Sequence, residues 1–286
     1  GPLLQHWVET GDRDALEVLD QKIGENLSHP WMENLWGAPS TMIAASHLFE
    51  QTGEERFAEH LRVGADYLWE RLETVEALNC KLWNINLYGQ SSYLMGAGHG
   101  FVGNVFPVLK SQSCFSEAVN SAWKEMIFDT VLKTAIRQDG LTNWAPRASL
   151  TQAEDDKMLV QQCHGAPGFV ISLGSLMGCG NDEFDVLMKE AGELIWRAGP
   201  LSKYPELCHG TPGNGYAFLK LFEKTGDELW LSRARDFANF SYKQREEMIR
   251  GGKPQQLSLW DGDMGLAMFM ADCLDANAVF PTLDYF

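Results

Sequence analysis

Two triplets, Cys163-His164-Gly165 and Cys208-His209-Gly210, each join a soft sulfur donor to an imidazole in a short turn. Zinc selects such donors, taking thiolate sulfur at ~2.3 Å and imidazole nitrogen at ~2.0–2.1 Å in a tetrahedron. If the two turns meet, Cys163, Cys208 and one histidine supply three ligands. The fourth position stays open for an exchangeable group, as in catalytic rather than structural zinc sites. Adjacent Cys and His seldom both ligate with good geometry, so one of His164 and His209 binds and the other stands behind the ligands. The residues alone do not choose between them. The bland alternative is a pair of buried cysteines with satisfied histidines. Cys80, Cys114, Cys179 and Cys273 have no neighbouring histidine and read as ordinary core or surface thiols.

The elements that must position these residues come from an internal repeat. Laid on itself so that Gly37 meets Gly210, the chain matches Leu48-Phe49-Glu50-Gln51-Thr52-Gly53-Glu54-Glu55 with Leu221-Phe222-Glu223-Lys224-Thr225-Gly226-Asp227-Glu228. A Gly-x-x-Gly turn opens copies at Gly100, Gly165, Gly210 and Gly262, and a fifth at Gly37 carries Ser40 in the second place. Each unit has room for a helix pair. Phe57, Leu61, Ala65, Leu68 and Leu72 share one face of an amphipathic second helix, and Glu54 and Glu55 sit in its first turn, where the dipole favours acids. The first helices, such as Phe101 to Leu109 and Tyr216-Ala217-Phe218-Leu219, are apolar most of the way round and should be buried on all sides. Strand-like alternation is scarce. The expected fold is all-α: an α/α toroid of inner buried and outer amphipathic helices, one domain over residues 1–286, with the glycine turns gathered at one end. Glycine at such turns permits positive φ and close helix approach.

The repeat contains its own control. Just before the first glycine the copies read Trp36, His99, His164, His209 and Asp261, and one residue earlier Leu35, Gly98, Cys163, Cys208 and Trp260. Leu-Trp and Trp-Asp serve the fold as well as Cys-His does, so sulfur and imidazole are there for chemistry. His99 should point into the same end of the ring, where an imidazole beside zinc suits proton transfer near neutral pH. Asp139 to Arg147 is turn-rich and aromatic; it reads as a loop over the mouth of the site, with Trp144 and Arg147 as candidate substrate contacts, or as a plain structural loop.

The chain has 286 residues, with 23 basic against 39 acidic side chains and a formal net charge of −16. Such an acidic balance without a basic cluster argues against nucleic-acid binding. No apolar run approaches the ~20 residues of a membrane-spanning helix. Six cysteines scattered through a long chain read as reduced thiols, and a cytoplasmic location is expected. Residues 1–3, which lack Met, read as the remnant of an expression tag.

Together these features resemble the lanthionine synthetase C-like family. The resemblance rests on Met95-Gly96-Ala97-Gly98-His99-Gly100, Gln162-Cys163-His164-Gly165-Ala166-Pro167-Gly168, Leu207-Cys208-His209-Gly210-Thr211-Pro212-Gly213-Asn214 and Leu259-Trp260-Asp261-Gly262-Asp263-Met264-Gly265, with Asn143-Trp144 between. Cys-His-Gly-Ala-Pro-Gly is closer to the eukaryotic-type branch than to the lantibiotic cyclases. It implies an α/α toroid, of which five of the usual seven repeats are legible here, and one zinc held by Cys163, Cys208 and His209. It implies a thiol, from glutathione or a peptide cysteine, adding to dehydroalanine or dehydrobutyrine in a peptide or protein to form a thioether. His99 takes the place of the family histidine that manages the enolate proton, His164 joins it as a catalytic candidate, and Asn214 is a candidate substrate contact. Gln162 stands where tryptophan commonly precedes the first zinc cysteine. The basic residue upstream of that cysteine has no match in register, Lys157 being nearby, and the acidic partner of the histidine is not legible. Two other readings compete: a non-catalytic zinc module that captures glutathione or a protein, and a glycan-processing toroid built on Asp261, Asp263 and Trp260, in which the cysteines would be idle.

Overall fold

The computed structural model describes residues 2–87, 89–148 and 158–285; Gly1 and Lys157 lie outside them. Eleven helices follow in order among the described residues. They are α1 (Pro2–Thr10), α2 (Arg13–Asn26), α3 (Ala38–Thr52), α4 (Glu55–Glu70), α5 (Phe101–Lys110), α6 (Glu117–Thr134), α7 (Ala166–Leu173), α8 (Asp182–Ala198), α9 (Thr211–Thr225), α10 (Glu228–Arg250) and α11 (Asp263–Asp275). The odd-numbered helices from α3 onward each follow a glycine turn and pack side by side as the inner wall of an α/α toroid. The helices α4, α6, α8 and α10 form the outer layer. In α7 every residue from Ala166 to Leu173 is buried, as is Phe101 to Leu109 in α5. The outer α4 buries Phe57, Leu61, Ala65 and Leu68 along one stripe.

The matched copies fold alike in detail. Gly53 and Gly226 both end their helices in the left-handed region at φ 67°, ψ 8°, where glycine carries no Cβ penalty. Their amides donate to Phe49 and Phe222 carbonyls, and Thr52 and Thr225 each turn a hydroxyl back onto the preceding turn, donating to Leu48 and Leu221.

The Gly-x-x-Gly turns owe their glycines mainly to close approach. A Cβ on the second glycine would lie 1.8 Å from the Leu207 carbonyl oxygen at Gly213, 2.1 Å from that of Gln162 at Gly168, and 2.3 Å from that of Leu259 at Gly265. Any side chain there would push the turn off its helix. Positive φ is needed at one of the first glycines only, Gly165, at φ 102°.

Strands are present where the sequence showed little sign of them. Three short antiparallel hairpins pair Glu73–Val75 with Cys80–Leu82, Ile85–Leu87 with Gln90–Ser92, and Ile136–Gln138 with Leu141–Asn143. The last gives the Asp139 to Arg147 segment a structural part: Asp139 and Gly140, at φ 54° and 73°, make the two-residue turn that an Asp-Gly pair favours. Among the described residues no helix is long and apolar enough to cross a membrane.

The C-terminal segment fills the far end of the ring. Phe280 and Leu283 are buried, and Lys110 of α5 donates to the Asp284 carbonyl oxygen at 2.7 Å while pairing with Glu50 at 2.8 Å. At the other end, Asp263 opens α11 and accepts from Arg245 Nη2 at 2.9 Å, Tyr204 at 2.6 Å and the Gln256 amide at 3.1 Å. Burial works against that carboxylate's charge, yet the Arg245 and Tyr204 contacts prevail and hold Asp263 below its ordinary value. A depressed carboxyl contributes stability above its unfolded value, and the contribution is lost as pH falls through the folded value. Asp263→Asn is therefore expected to cost about 1–3 kcal/mol at neutral pH, a deficit that closes in strong acid. Thermal unfolding of both proteins across pH checks this.

Candidate metal centre

Backbone hydrogen bonds stitch the turns together at one repeated position, the residue two before the first glycine. Gly98 donates to the Cys163 carbonyl at 3.3 Å, Cys163 to that of Cys208 at 3.4 Å, and Cys208 to that of Trp260 at 3.1 Å. Cys163 and Cys208 are thus direct backbone neighbours, although a whole helix pair separates them in the chain. Their sulfurs and a His209 ring nitrogen all lie within 4.8 Å of one another, and Cys208 Sγ stands 3.6 Å from His209 Nε2. His164 is outside this cluster.

The donor set is short of positive charge in a way that fits a divalent cation. Contact with Cys208 pulls the Cys163 thiol well below its ordinary range against the opposing effect of burial, and His209 assists. The same contact, with burial, pushes Cys208 far up. Two adjoining sulfurs release one proton readily and resist losing the second, because the second negative charge would have only His209 to balance it. A dication between them removes that obstacle. His209 in turn is raised by its contact with Cys163.

Two carboxylates that sequence reasoning missed support the imidazoles. Glu206 Oε1 lies 3.1 Å from His209 Nδ1, which leaves Nε2 toward the sulfurs, the way a carboxylate commonly orients a histidine able to take a metal. Glu33, 1% exposed, lies 2.9 Å from His99 Nδ1 and also accepts from the Leu35 and Trp36 amides. It is the acidic partner of His99 that the sequence did not reveal. The repeat carried the signal: the register that places Gly37 on Gly210 also places Glu33 on Glu206. The equivalent Gln161 donates to Cys163 Sγ at 3.2 Å.

The side chains just before the glycines form a row around the mouth. Trp36 and His99 ring centroids are 5.3 Å apart, and those of His99 and His164 6.5 Å. Burial lowers the His164 pKa, favouring the neutral ring. A cavity of about 550 Å³ opens beside this row, lined by His99, His164, Cys163, Cys208 and His209.

Three sequence-based substrate candidates fare differently. Trp144 is fully buried, stacked on Phe169 at 4.0 Å with Nε1 donating to the Val131 carbonyl; it belongs to the core and is corrected accordingly. Asn214, also 0% exposed, donates to the Val160 carbonyl at 2.9 Å and so braces the approach to Cys163 rather than touching substrate. Its repeat equivalent Asn104 grips the Met32 carbonyl likewise, at 2.8 Å. Asn143 does similar work: it donates to the Leu159 carbonyl and accepts from the Ala166 amide, clamping both sides of the first Cys-His-Gly turn. Arg147 is exposed, with its backbone bridged to Leu94 and its charge close enough to act on His164.

The model of the lanthionine synthetase C-like protein family matches residues 12–284. The chain belongs to that family. It is similar to the zebrafish (Danio rerio) protein named glutathione S-transferase LANCL1, 36% identical over 146 residues that make up 50% of this chain and 34% of that protein. It is also similar to the LanC-like protein GCL1 of Arabidopsis thaliana, 39% identical over 93 residues, 32% of this chain and 21% of that protein. The aligned part thus spans about a third or less of the relatives' own lengths.

With zinc bound, Glu206→Ala is expected to weaken metal affinity by about 10–100-fold without unfolding the chain. Competition against a chromogenic chelator measures this, and an unchanged affinity would show that Glu206 does not support the ligand.

Proposed function

We propose that this chain holds one zinc ion on Cys163, Cys208 and His209 and joins a thiol to a dehydroamino acid. The thiol belongs to glutathione or a peptide cysteine, the acceptor is a dehydroalanine or dehydrobutyrine in a peptide or protein, and the product is a thioether. The observation that carries the reading is the convergence of two thiols and an imidazole beside a second, carboxylate-backed imidazole in one cavity.

Zinc, when bound, lowers the pKa of a coordinated thiol and holds it as thiolate. In the addition a sulfur–carbon bond forms at the β-carbon, the double-bond pair shifts towards the carbonyl as an enolate, and a proton arrives at the α-carbon. The thiol's own proton leaves to solvent beforehand and one proton returns from solvent to the imidazole after delivery, so the addition is proton-neutral overall. His99 faces the cavity with Nδ1 engaged by Glu33, so its Nε2 is the atom that delivers the proton, and the Glu33 carboxylate stabilises the imidazolium that precedes delivery. His164, beside His99, is the neighbour through which a proton is exchanged. Arg147, on the same side as His164, suits a substrate carboxylate. The free state of all six cysteines accords with a cytoplasmic location.

Four outcomes test the reading. Metal analysis should find about one zinc per chain, lost in Cys163→Ala and Cys208→Ala. The zinc-loaded chain should convert glutathione and a dehydroalanine peptide to a thioether, seen by mass spectrometry. His99→Asn should lower kcat by about 10²–10⁴-fold at unchanged zinc content, and Glu33→Gln should cost less than that. Full zinc with thiol binding but no product from any such peptide would favour the non-catalytic zinc module instead.

A further inference from the structure

The cavity is larger than the reacting groups need, and its second half is unlike the first. Away from the sulfurs it is walled by Trp36, by Ile43 and Ala44 of α3, and by Leu283 of the C-terminal segment. Ser40, Ile43, Ala44 and His47 follow helical spacing and share the face of α3 that fronts it. The repeat again supplies the comparison. Ile43, 8% exposed, and its repeat equivalents Phe106, Ile171 and Tyr216 are all buried core residues, but of the four Ile43 lines the cavity. On α3 alone of these helices that face fronts the cavity beside the metal site. Apolar walls around open space forfeit the dispersion contacts that a packed interior makes, so such a surface favours an apolar occupant.

The charges divide the two halves in the same sense. Among the described residues, no Lys or Arg lines the cavity. Lys110, at the far end, is already engaged by Glu50 and the Asp284 carbonyl. Among the described residues the other cations near the site are on the Cys163 side: Arg147 acts on His164, and Lys203 Nζ is 3.5 Å from Gln161 Oε1. A thiol bearing carboxylates is drawn to that side. A dehydroalanine side chain is a single methylene and cannot itself fill the apolar half, which adjoins His99 through Trp36.

Resting on the function proposed above, we infer that the space between Trp36, Ile43, Ala44 and Leu283 is a specificity pocket for the residue flanking the dehydroamino acid. It takes an aromatic or branched aliphatic side chain, with the acceptor entering along α3 and the thiol from the Arg147 side.

The test uses zinc-loaded chain and pairs of short peptides that differ only in the residue beside the reacting position, Leu or Phe against Ser or Glu. Binding is first measured with inert counterparts carrying alanine in place of dehydroalanine, followed by tryptophan fluorescence. The apolar peptides should bind about tenfold or more tightly than the polar ones. Ala44→Phe, which fills the pocket, should abolish that preference at unchanged zinc content, and the milder Ile43→Val should reduce it. kcat/KM for the dehydroalanine peptides should follow the same order. Equal binding of apolar and polar peptides, or a preference that survives Ala44→Phe in a folded protein, overturns the pocket. A preference in binding without thioether from any peptide upholds the pocket and counts against the catalytic reading alone.

Discussion

Everything at the metal centre depends on the backbone hydrogen bonds that link successive turns through the residue two before the first glycine. The bond from Cys163 to Cys208 brings two helix pairs into direct contact at the one place where both carry sulfur. Its neighbours on either side, at Gly98 and Trp260, keep that pair in line with the rest of the ring. The glycines make this possible, because a Cβ on any of them would collide with a carbonyl oxygen upstream. Turn, helix start and ligand position are one constraint, since the same few atoms satisfy all three.

On that frame the repeat distributes chemistry by register. The residue before the glycine faces the cavity, and here it is Trp36, His99, His164 or His209 as the copies change. The residue four before the glycine reaches back towards the turn, and Glu33, Gln161 and Glu206 each meet a histidine or a sulfur there. Glu206 steadies the His209 of its own copy, whereas Glu33 reaches across to the His99 of the next. One register position therefore supports the candidate metal-binding imidazole in one copy and the cavity-facing His99 in another. The electrostatics are complementary: two sulfurs that together resist losing both protons stand where a dication would sit.

Much of this was legible in the sequence. Apolar helices following glycine turns, the Thr-Gly stops and the alternation with amphipathic helices established the α/α toroid, because helix burial and capping are local and periodic. Comparison of copies singled out Cys163, Cys208, His99, His164 and His209, since the fold accepts other residues at those positions. Glu33 carries the same kind of signal, since it aligns with Glu206 four residues before the glycine, two positions upstream of the Cys-His pair. Trp144 and Asn214 were misjudged for a physical reason. An aromatic in a turn-rich segment and an amide in a motif look the same on paper whether they face a cavity or a core, and their burial is set by chain segments far away in sequence.

The sequence by itself determined the helix pairs, the turns that join them and the residue types able to hold a soft divalent metal. Each of those follows from interactions within a single repeat. Tertiary structure brings His209 rather than His164 to the sulfurs, as the family resemblance implies, and it alone decided that Glu33 backs His99 and that one face of α3 fronts a cavity shared with Leu283. Those outcomes depend on distances between different copies of the repeat, which only the closing of the helices side by side can set.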